Sequence, residues 1–439
     1  MFRRLALALC CLATAAPAAA QFRPTSLATL FQDVYGPTGL TLSSDDVQLD
    51  GSNHAAHFNS AFQSDFRLVN IALTSQLTAV PLPSPASGFT YKFDPATGTF
   101  VRSTRSFGPI LTDRAETIGR GRLAFGFNSQ FFSFDHLDGV SLEAIPAVFR
   151  HDSFESGGGR ADVVSTTNTI QSSVSQYSGA ITYGLTDRLD VSLAVPIVRA
   201  HLSLLSNATI IRLGTGTNLQ IHYFKDETAL GGFGSTKQFF VEGTAAGIGD
   251  LVMRVKGTLL REGARAFAAG LDIRLPTGDE QNLLGSGAAG LRPFAAFSSQ
   301  YGAFAPHANL AYIWNGKSVL AGDVRSDTEV DLPDQFQYAA GTDISINNRV
   351  SMVFDVIGQR VIDSPRMSQV MLQASGVAGT VALPDIRFTT GSYWATSGAL
   401  GFKTNVAPHV LVNTNLRFRI GSNGLADRVA PLVGVEYAF

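Results

Sequence analysis

Charge is what this chain has little of. Only 15% of its 439 residues are charged, against roughly 25% in a typical soluble domain. The 33 basic and 35 acidic residues nearly cancel. That excludes a polybasic surface, and no nucleic-acid partner is expected. No stretch reaches the roughly 18 apolar residues of a membrane-crossing helix, so a multi-pass helical membrane protein is excluded. The 2 cysteines, Cys10 and Cys11, both fall inside an N-terminal leader. The remaining chain has none, which removes disulfides, thiol catalysis and cysteine metal sites together. What fills the composition is 43 Gly and 31 Phe, within a hydrophobic total of 45%. A charge-poor chain of this kind has one common solution. It is a transmembrane β-barrel, whose strands need only alternate.

The leader reads as a secretory signal over residues 1–20. Arg3 and Arg4 supply the positive region, Leu5 to Thr14 the apolar stretch, and Pro17-Ala18-Ala19-Ala20 a small-residue site cleaved near Ala20. Its bland alternative is a short buried helix. A lipoprotein signal fits poorly, because Leu9 precedes Cys10. An exported, cysteine-free chain suits the bacterial outer membrane. Residues 21–65 are different in kind. Leu27, Leu30, Phe31 and Val34 stand at helical spacing before Gly36-Pro37, and Ala55, Phe58, Ala61 and Phe62 repeat the pattern more weakly. A segment this small buries no core of its own. It is either a plug inside a barrel lumen or a periplasmic tail.

Residues 66–439 are read as the barrel, because the period becomes two. Val429, Pro431, Val433, Val435, Tyr437 and Phe439 form one apolar face of the last strand. Val435, Tyr437 and Phe439 would serve as its signal to the barrel-assembly machinery. In the preceding strand, Leu416, Phe418 and Ile420 oppose Arg417 and Arg419. Charges in mid-strand opposite an apolar face fit lipid on one side and a wet lumen on the other. Leu251, Met253 and Val255 likewise oppose Asp250, Arg254 and Lys256. Leu271, Ile273 and Leu275 oppose Asp272 and Arg274. One register of this hairpin sets Arg274 across from Asp250 and Phe267 across from Gly257. Slipping by two sets Arg254 across from Asp272. Either pairs the inward charges. Trp314 and Trp394 sit near strand ends, as interfacial aromatics do. Pro196, Pro293 and Pro306 fall inside strands, where bulges or broken pairing are expected.

Short turns near 94–99, 135–139, 184–188, 261–264, 301–303, 346–349 and 405–408 alternate with longer links, including 107–117, 151–168, 204–246, 276–290, 315–334 and 361–391. The fold class is therefore all-β, an antiparallel barrel of about 14 strands within a range of 12–16, with both ends in the periplasm. Sixteen strands result if the pieces near 88–94 and 99–107 count, and 14 if those are a loop hairpin.

Residues read as lining the lumen are Phe132, Phe134, Glu143, Phe149, Asp250, Arg254, Lys256, Asp272, Arg274, His307, Asp343, Asp355, Arg417 and Arg419. Phe132, Phe134, Ile145 and Phe149 make a local apolar patch there. It is either a weak site for a hydrophobic solute or the surface that packs against the plug, and the second reading is favoured. His307 lies beside Asn309 with Asp343 and Asp355 on nearby strands, a hydrogen-bond network rather than a catalytic dyad. His54 and His57 lack further ligands at metal spacing, so no metal site is expected. Gly157-Gly158-Gly159 and Gly285-Ser286-Gly287 have no Lys-Ser/Thr after them and are loop tips, not phosphate cradles. No catalytic residues, no enzyme activity and no cofactor are expected.

Three motifs carry a resemblance. They are Tyr183-Gly-Leu-Thr-Asp-Arg-Leu-Asp-Val-Ser-Leu-Ala-Val-Pro196, Gly247-Ile-Gly-Asp-Leu251, and Leu271-Asp-Ile-Arg-Leu-Pro-Thr-Gly-Asp279 with Leu284-Gly-Ser-Gly287. Over roughly residues 180–439 the chain resembles the outer-membrane transporters named for the MetA pathway of phenol degradation, which are similar in outline to FadL/TodX-type hydrocarbon channels. The resemblance implies a barrel for passive uptake of small hydrophobic or aromatic compounds, with outer-membrane lipid and such a solute as partners. The rival readings are a general porin and a barrel without transport, either structural or lipid-modifying. No residue-level binding motif carries over.

Overall fold

The computed structural model describes residues 26–36, 39–45, 58–65, 68–79, 91–94, 99–102, 106–151 and 158–439. The leader and the pair His54 and His57 lie outside the described residues. Twelve antiparallel strands close into a barrel. They are β1 (Leu123–Leu137), β2 (Val163–Thr186), β3 (Leu189–Ile211), β4 (Leu251–Glu262), β5 (Arg265–Leu275), β6 (Gly290–Ser299), β7 (Phe304–Asn315), β8 (Gln335–Ser345), β9 (Val350–Gly376), β10 (Gly379–Ala407), β11 (Val410–Ile420) and β12 (Val429–Ala438). Closure comes from β12 against β1, with Val435 opposite Phe127.

One rim carries the short turns, except that of residues 377–378 between β9 and β10, together with Leu123 and Phe439, whose backbones bond at 2.9 Å. The other rim carries every long connection. A barrel strand crosses a bilayer in about 9–11 residues. β2 has 24 residues, β9 has 27 and β10 has 29, so these strands rise well beyond the membrane on the long-loop side. The spans 151–168, 204–246 and 361–391, expected as links, are therefore partly strand. Above the lipid no face has to be apolar, and the alternation that marks a membrane strand fades. Asn168 to Ser178 on β2 is a Ser-, Thr- and Gln-rich run of this sort.

The count of 12 is two below the 14 favoured from the sequence, for two reasons. The turn near 135–139 is not a hairpin. There the chain jogs through Asp138 and Gly139, both at positive φ, and Ile145–His151 continues in the same direction along β2. Phe134 faces Ser172 below the jog, and Ile145 faces Asn168 above it. Next, Leu68–Ala79 is a helix rather than a strand, and the first barrel strand begins at Leu123. Among the described residues, Tyr91–Asp94 and Thr99–Arg102 pair only with each other, as a loop hairpin.

Pro196 and Pro293 coincide with breaks, whereas Pro306 does not: it lies opposite Thr342 in unbroken pairing of β7 with β8. Thr236–Ile248 and β4 form one interrupted strand along β3, with Ile248 opposite Ile197 and Val252 opposite Ala194. The interruption at Gly249-Asp250 faces Pro196, which has no N–H for the ladder. Likewise Arg292 and Pro293 are skipped in the pairing of β6 with β7.

The outer face is apolar where it meets lipid. Leu416, Phe418, Ile420, Val433, Val435, Tyr437 and Phe439 are all exposed. Trp314 lies at the long-loop end of β7 and Trp394 midway along the 29-residue β10, the first tilted against the Tyr312 ring and the second edge-on to Tyr338. The long-loop half of the lumen is packed solid. Leu27, Phe31, Phe62 and Leu73 share one buried apolar cluster with Phe132, Phe149 and Leu204. The short helices α1 (Leu30–Asp33) and α2 (Ala61–Asp65) and the longer α3 (Leu68–Ala79) belong to this insert.

Candidate functional site

Irregular backbone inside a barrel must find partners for every N–H and C=O. Residues 106–119 show how that is met. They run through the turn-side half of the lumen, buried throughout, and the wall reaches in to hold them. Phe107 N–H donates to Ser351 Oγ at 3.0 Å, Asp113 N–H to Asn309 Oδ1 at 2.7 Å, and Ala115 N–H to Ser298 Oγ at 2.8 Å. Ile118 N–H donates to Asp190 Oδ2 at 3.1 Å. In return Thr258 Oγ1 donates to the Ala115 carbonyl at 2.6 Å, and Lys256 Nζ to the carbonyls of Arg114 and Glu116 at 3.1 and 2.9 Å. The inward polar residues of β3, β4, β6, β7 and β9 thus satisfy a lumen-crossing segment instead of facing free water.

Two of its three charged side chains, Asp113 and Arg114, are paired with the wall. Arg114 pairs with Asp343 at 2.9 Å. His307 bridges Asp343 and Asp355, with Nδ1 3.3 Å from the first and Nε2 2.6 Å from the second. Lys403 and Glu436 form a further buried pair at 2.7 Å.

Between this segment and the end of α3 lies a cavity of about 150 Å³. Gln76, Leu77 and Thr78 form its roof, and Leu111, Thr112 and Asp113 its floor. Gln76 donates to the Leu425 carbonyl at 3.2 Å, and Gln335 donates to Ser75 O at 3.3 Å and Thr78 Oγ1 at 3.1 Å. Those few bonds seat the roof. The walls include Asp250, Arg254, Asp272, Arg274, Arg292, Arg417 and Arg419, with apolar Ala311, Ile313 and Ile357 between the charged sides.

The second and third sequence motifs meet at one edge of this chamber, beside Pro196 at the end of the first, whose carbonyl accepts from Gly249 N–H at 2.8 Å. Asp250 accepts hydrogen bonds from Gly278 N–H at 3.1 Å, Ser286 N–H at 2.8 Å and Ser286 Oγ at 2.5 Å. Thr277 Oγ1 donates to the Gly249 carbonyl at 2.8 Å. Gly249 has no room for a side chain. A Cβ there would stand 3.0 Å from both Leu284 O and Val198 Cγ2. The Gly-Ile-Gly-Asp, Pro-Thr-Gly-Asp and Leu-Gly-Ser-Gly stretches therefore form one knot, which folds the 276–289 loop inward over the strand break.

Of the residues read as lumen-lining, Asp250, Arg254, Asp272, Arg274, Arg417 and Arg419 come together at the chamber. The observed register of β4 and β5 sets Arg254 opposite Asp272, the slipped alternative: the turn is Gly263-Ala264, with Glu262 opposite Arg265, and a bulge between Thr258 and Leu260 then shifts the pairing by one residue. Phe267 accordingly faces Leu260 and not Gly257. Lys256, His307, Asp343 and Asp355 lie lower, around the crossing segment. Phe132, Phe134 and Phe149 are buried against the N-terminal insert. Glu143 is a correction: it is exposed at the jog after β1, because the chain there turns outward before rejoining β2. Sequence reasoning missed Asp113 and Arg114, reading 107–117 as a long outer link. The available signal was Asp113, Arg114 and Glu116 close together in a charge-poor chain.

Fold and lumen together define the class: an outer-membrane-type β-barrel whose lumen is filled from both halves around one chamber. Residues 151–362 match the model of the family described as "Putative MetA-pathway of phenol degradation". That stretch contains all three motifs, so the resemblance drawn from them is shown. It starts earlier and ends earlier than the 180–439 expected. No curated protein sequence matches the chain. Among solved structures, an outer-membrane channel from Pseudomonas putida F1 is 14% identical at a TM-score of 0.44, over 75% of this chain and 100% of that one. A FadL homologue from Pseudomonas aeruginosa is 9% identical at 0.29, over 72% and 89%. The NanC porin is 7% identical at 0.33, over 71% and 98%.

Proposed function

We propose that this barrel is a passive channel for small aromatic or hydrophobic compounds across the outer membrane. The observation that carries the reading is the chamber between two lumen segments. At about 150 Å³ it is of the size that admits one benzene-sized ring. Its roof rests on a few hydrogen bonds at the end of α3, and its floor is one extended segment. A solute would reach the chamber past the roof and leave as the floor segment shifts. The match of residues 151–362 to a family named for phenol degradation supports small aromatics as the cargo class.

Single-channel conductance of the refolded chain in a planar bilayer tests this. We expect discrete conductance that phenol reduces reversibly, and a larger conductance when residues 21–79 are deleted. A barrel that shows heat-modifiable mobility on a gel, yet conducts with neither chain, would overturn the reading.

A further inference from the structure

Five arginines reach the chamber, and they are not equally satisfied. On β4, β5 and β6 each has good partners. Arg254 is held by Asp272 and Asp113 at 2.7 and 2.6 Å. Arg292 is held by Asp272 at 2.9 Å and by Gln337 at 2.8 Å. Arg274 donates to Asn315 Oδ1 at 2.7 Å, with Asp250 at 3.7 Å.

Across the barrel, on β11, Arg417 and Arg419 point into the same chamber and are short of acceptors. Asp427 is the carboxylate nearest Arg417, at 3.7 Å, beyond hydrogen-bond distance. Arg417 Nε has no partner, although its side chain is only 13% exposed. Arg419 donates through Nη1 to the Leu425 carbonyl, while its Nε and Nη2 have no partner. A guanidinium carries five donors in a fixed plane, and buried donors left unmade are costly. Two such forks at alternate positions of one strand make a ready receptor for a planar oxyanion, which arginine binds in bidentate fashion. The Phe132 ring lies 5.1 Å from the Arg417 guanidinium, which holds that plane in place. Ile313, Ile357, Leu77 and Leu111 supply apolar surface in the same space.

We infer that the chamber selects small aromatic or apolar monocarboxylates, with Arg417 and Arg419 taking the carboxylate and the apolar arc taking the ring. This rests on the channel reading and narrows its cargo from neutral phenol-like compounds to their carboxylated relatives.

The test measures binding of benzoate and of benzyl alcohol to the full refolded chain in detergent, by calorimetry. It compares the native protein with Arg417→Gln/Arg419→Gln and with Arg417→Lys/Arg419→Lys. Benzoate should bind about tenfold more tightly than benzyl alcohol, the Gln pair should erase that preference, and the Lys pair should keep part of it. Equal binding of the two probes to the native protein overturns the inference, with no variant needed. So does a preference that survives in a Gln pair whose heat-modifiable mobility is unchanged. Conductance of the same full chain reads the channel proposal separately. A conducting barrel without benzoate preference sinks the inference alone. Benzoate preference in a barrel that never conducts sinks the channel alone.

Discussion

Arg254 holds two carboxylates at once, one on the neighbouring strand and one on the segment that crosses the lumen. Its Nε and Nη2 donate to Asp272 at 2.7 and 2.8 Å, and its Nη1 donates to Asp113 at 2.6 Å. The wall and the stopper are thus joined through a single guanidinium, and Asp272 is shared with Arg292 at 2.9 Å. A side chain that looked like pore lining in the sequence is part of a clamp.

The lower clamp should be separable from the barrel. Arg114 and Asp343 are both buried, 2.9 Å apart. Removing one partner strands a charge and costs about 3–5 kcal/mol, whereas removing both costs less. Arg114→Ala should therefore lower stability in urea by about that amount and raise the open-channel conductance. Arg114→Ala with Asp343→Ala should recover part of the stability while staying open. A double-mutant cycle read by equilibrium refolding into vesicles, with conductance measured alongside, checks both halves.

How far the sequence led depends on what enforces the pattern. Lipid imposes a strict period of two, so the facing of β11, β12 and the β4–β5 hairpin was legible, with Arg254, Asp272, Arg417 and Arg419 inward, although the register of that hairpin was not. The lumen imposes no such period. Residues 106–119 carry neither a strand nor a helix pattern, because their backbone is satisfied by the wall and not by themselves. The helix Leu68–Ala79 was taken for strand because, packed in the lumen, it carries no charge, and even its polar Asn70, Thr74 and Ser75 are buried. The jog at Asp138-Gly139 looked like a hairpin because a turn dipeptide does not say which way the chain leaves it.

The motif knot should control the inward loop. Asp250 accepts three hydrogen bonds from Gly278 and Ser286. Such bonds to a charged group are worth about 1.5–3 kcal/mol each. Asp250→Ala should release residues 276–289, seen as new protease cleavage there and as a noisier, wider conductance. Asp250→Asn keeps the shape but only part of the acceptor capacity, and should fall between. Cleavage of the native and Asp250→Ala proteins at the same rate would show that the knot does not hold the loop.

Outside the membrane, Asp162 anchors the chain after β3. Burial pushes its carboxyl up. Hydrogen bonds from His222, from the hydroxyl and N–H of Thr215 and from Gly214 N–H outweigh that, and hold it below its ordinary value of 3.8. A carboxyl depressed in the folded state stabilises fully above its ordinary value, and that contribution is lost as pH falls below it. The loop after Ile211 should thus resist pepsin at pH near 5 and become cleavable only as pH falls well under 4. Asp162→Asn should be cleaved across the whole range. A native loop that opens between pH 7 and 5 would contradict this assignment.

The lipid face gives a last test, independent of what the lumen does. Leu416 lies mid-strand on β11, exposed on the outer face, between the inward pair Asn415 and Arg417. Placing a charge there puts a guanidinium into the hydrocarbon, whereas one residue along it is accommodated in the lumen. An arginine near the bilayer midplane costs about 2–4 kcal/mol on such a face. Leu416→Arg should lower the folding free energy into lipid vesicles by that amount and slow appearance of the heat-modifiable form. Thr414→Arg, on the same face nearer the turn rim, should cost less, because its guanidinium can reach the interface. Equal costs at the two positions would mean that the membrane sits elsewhere along the strands than the apolar band indicates.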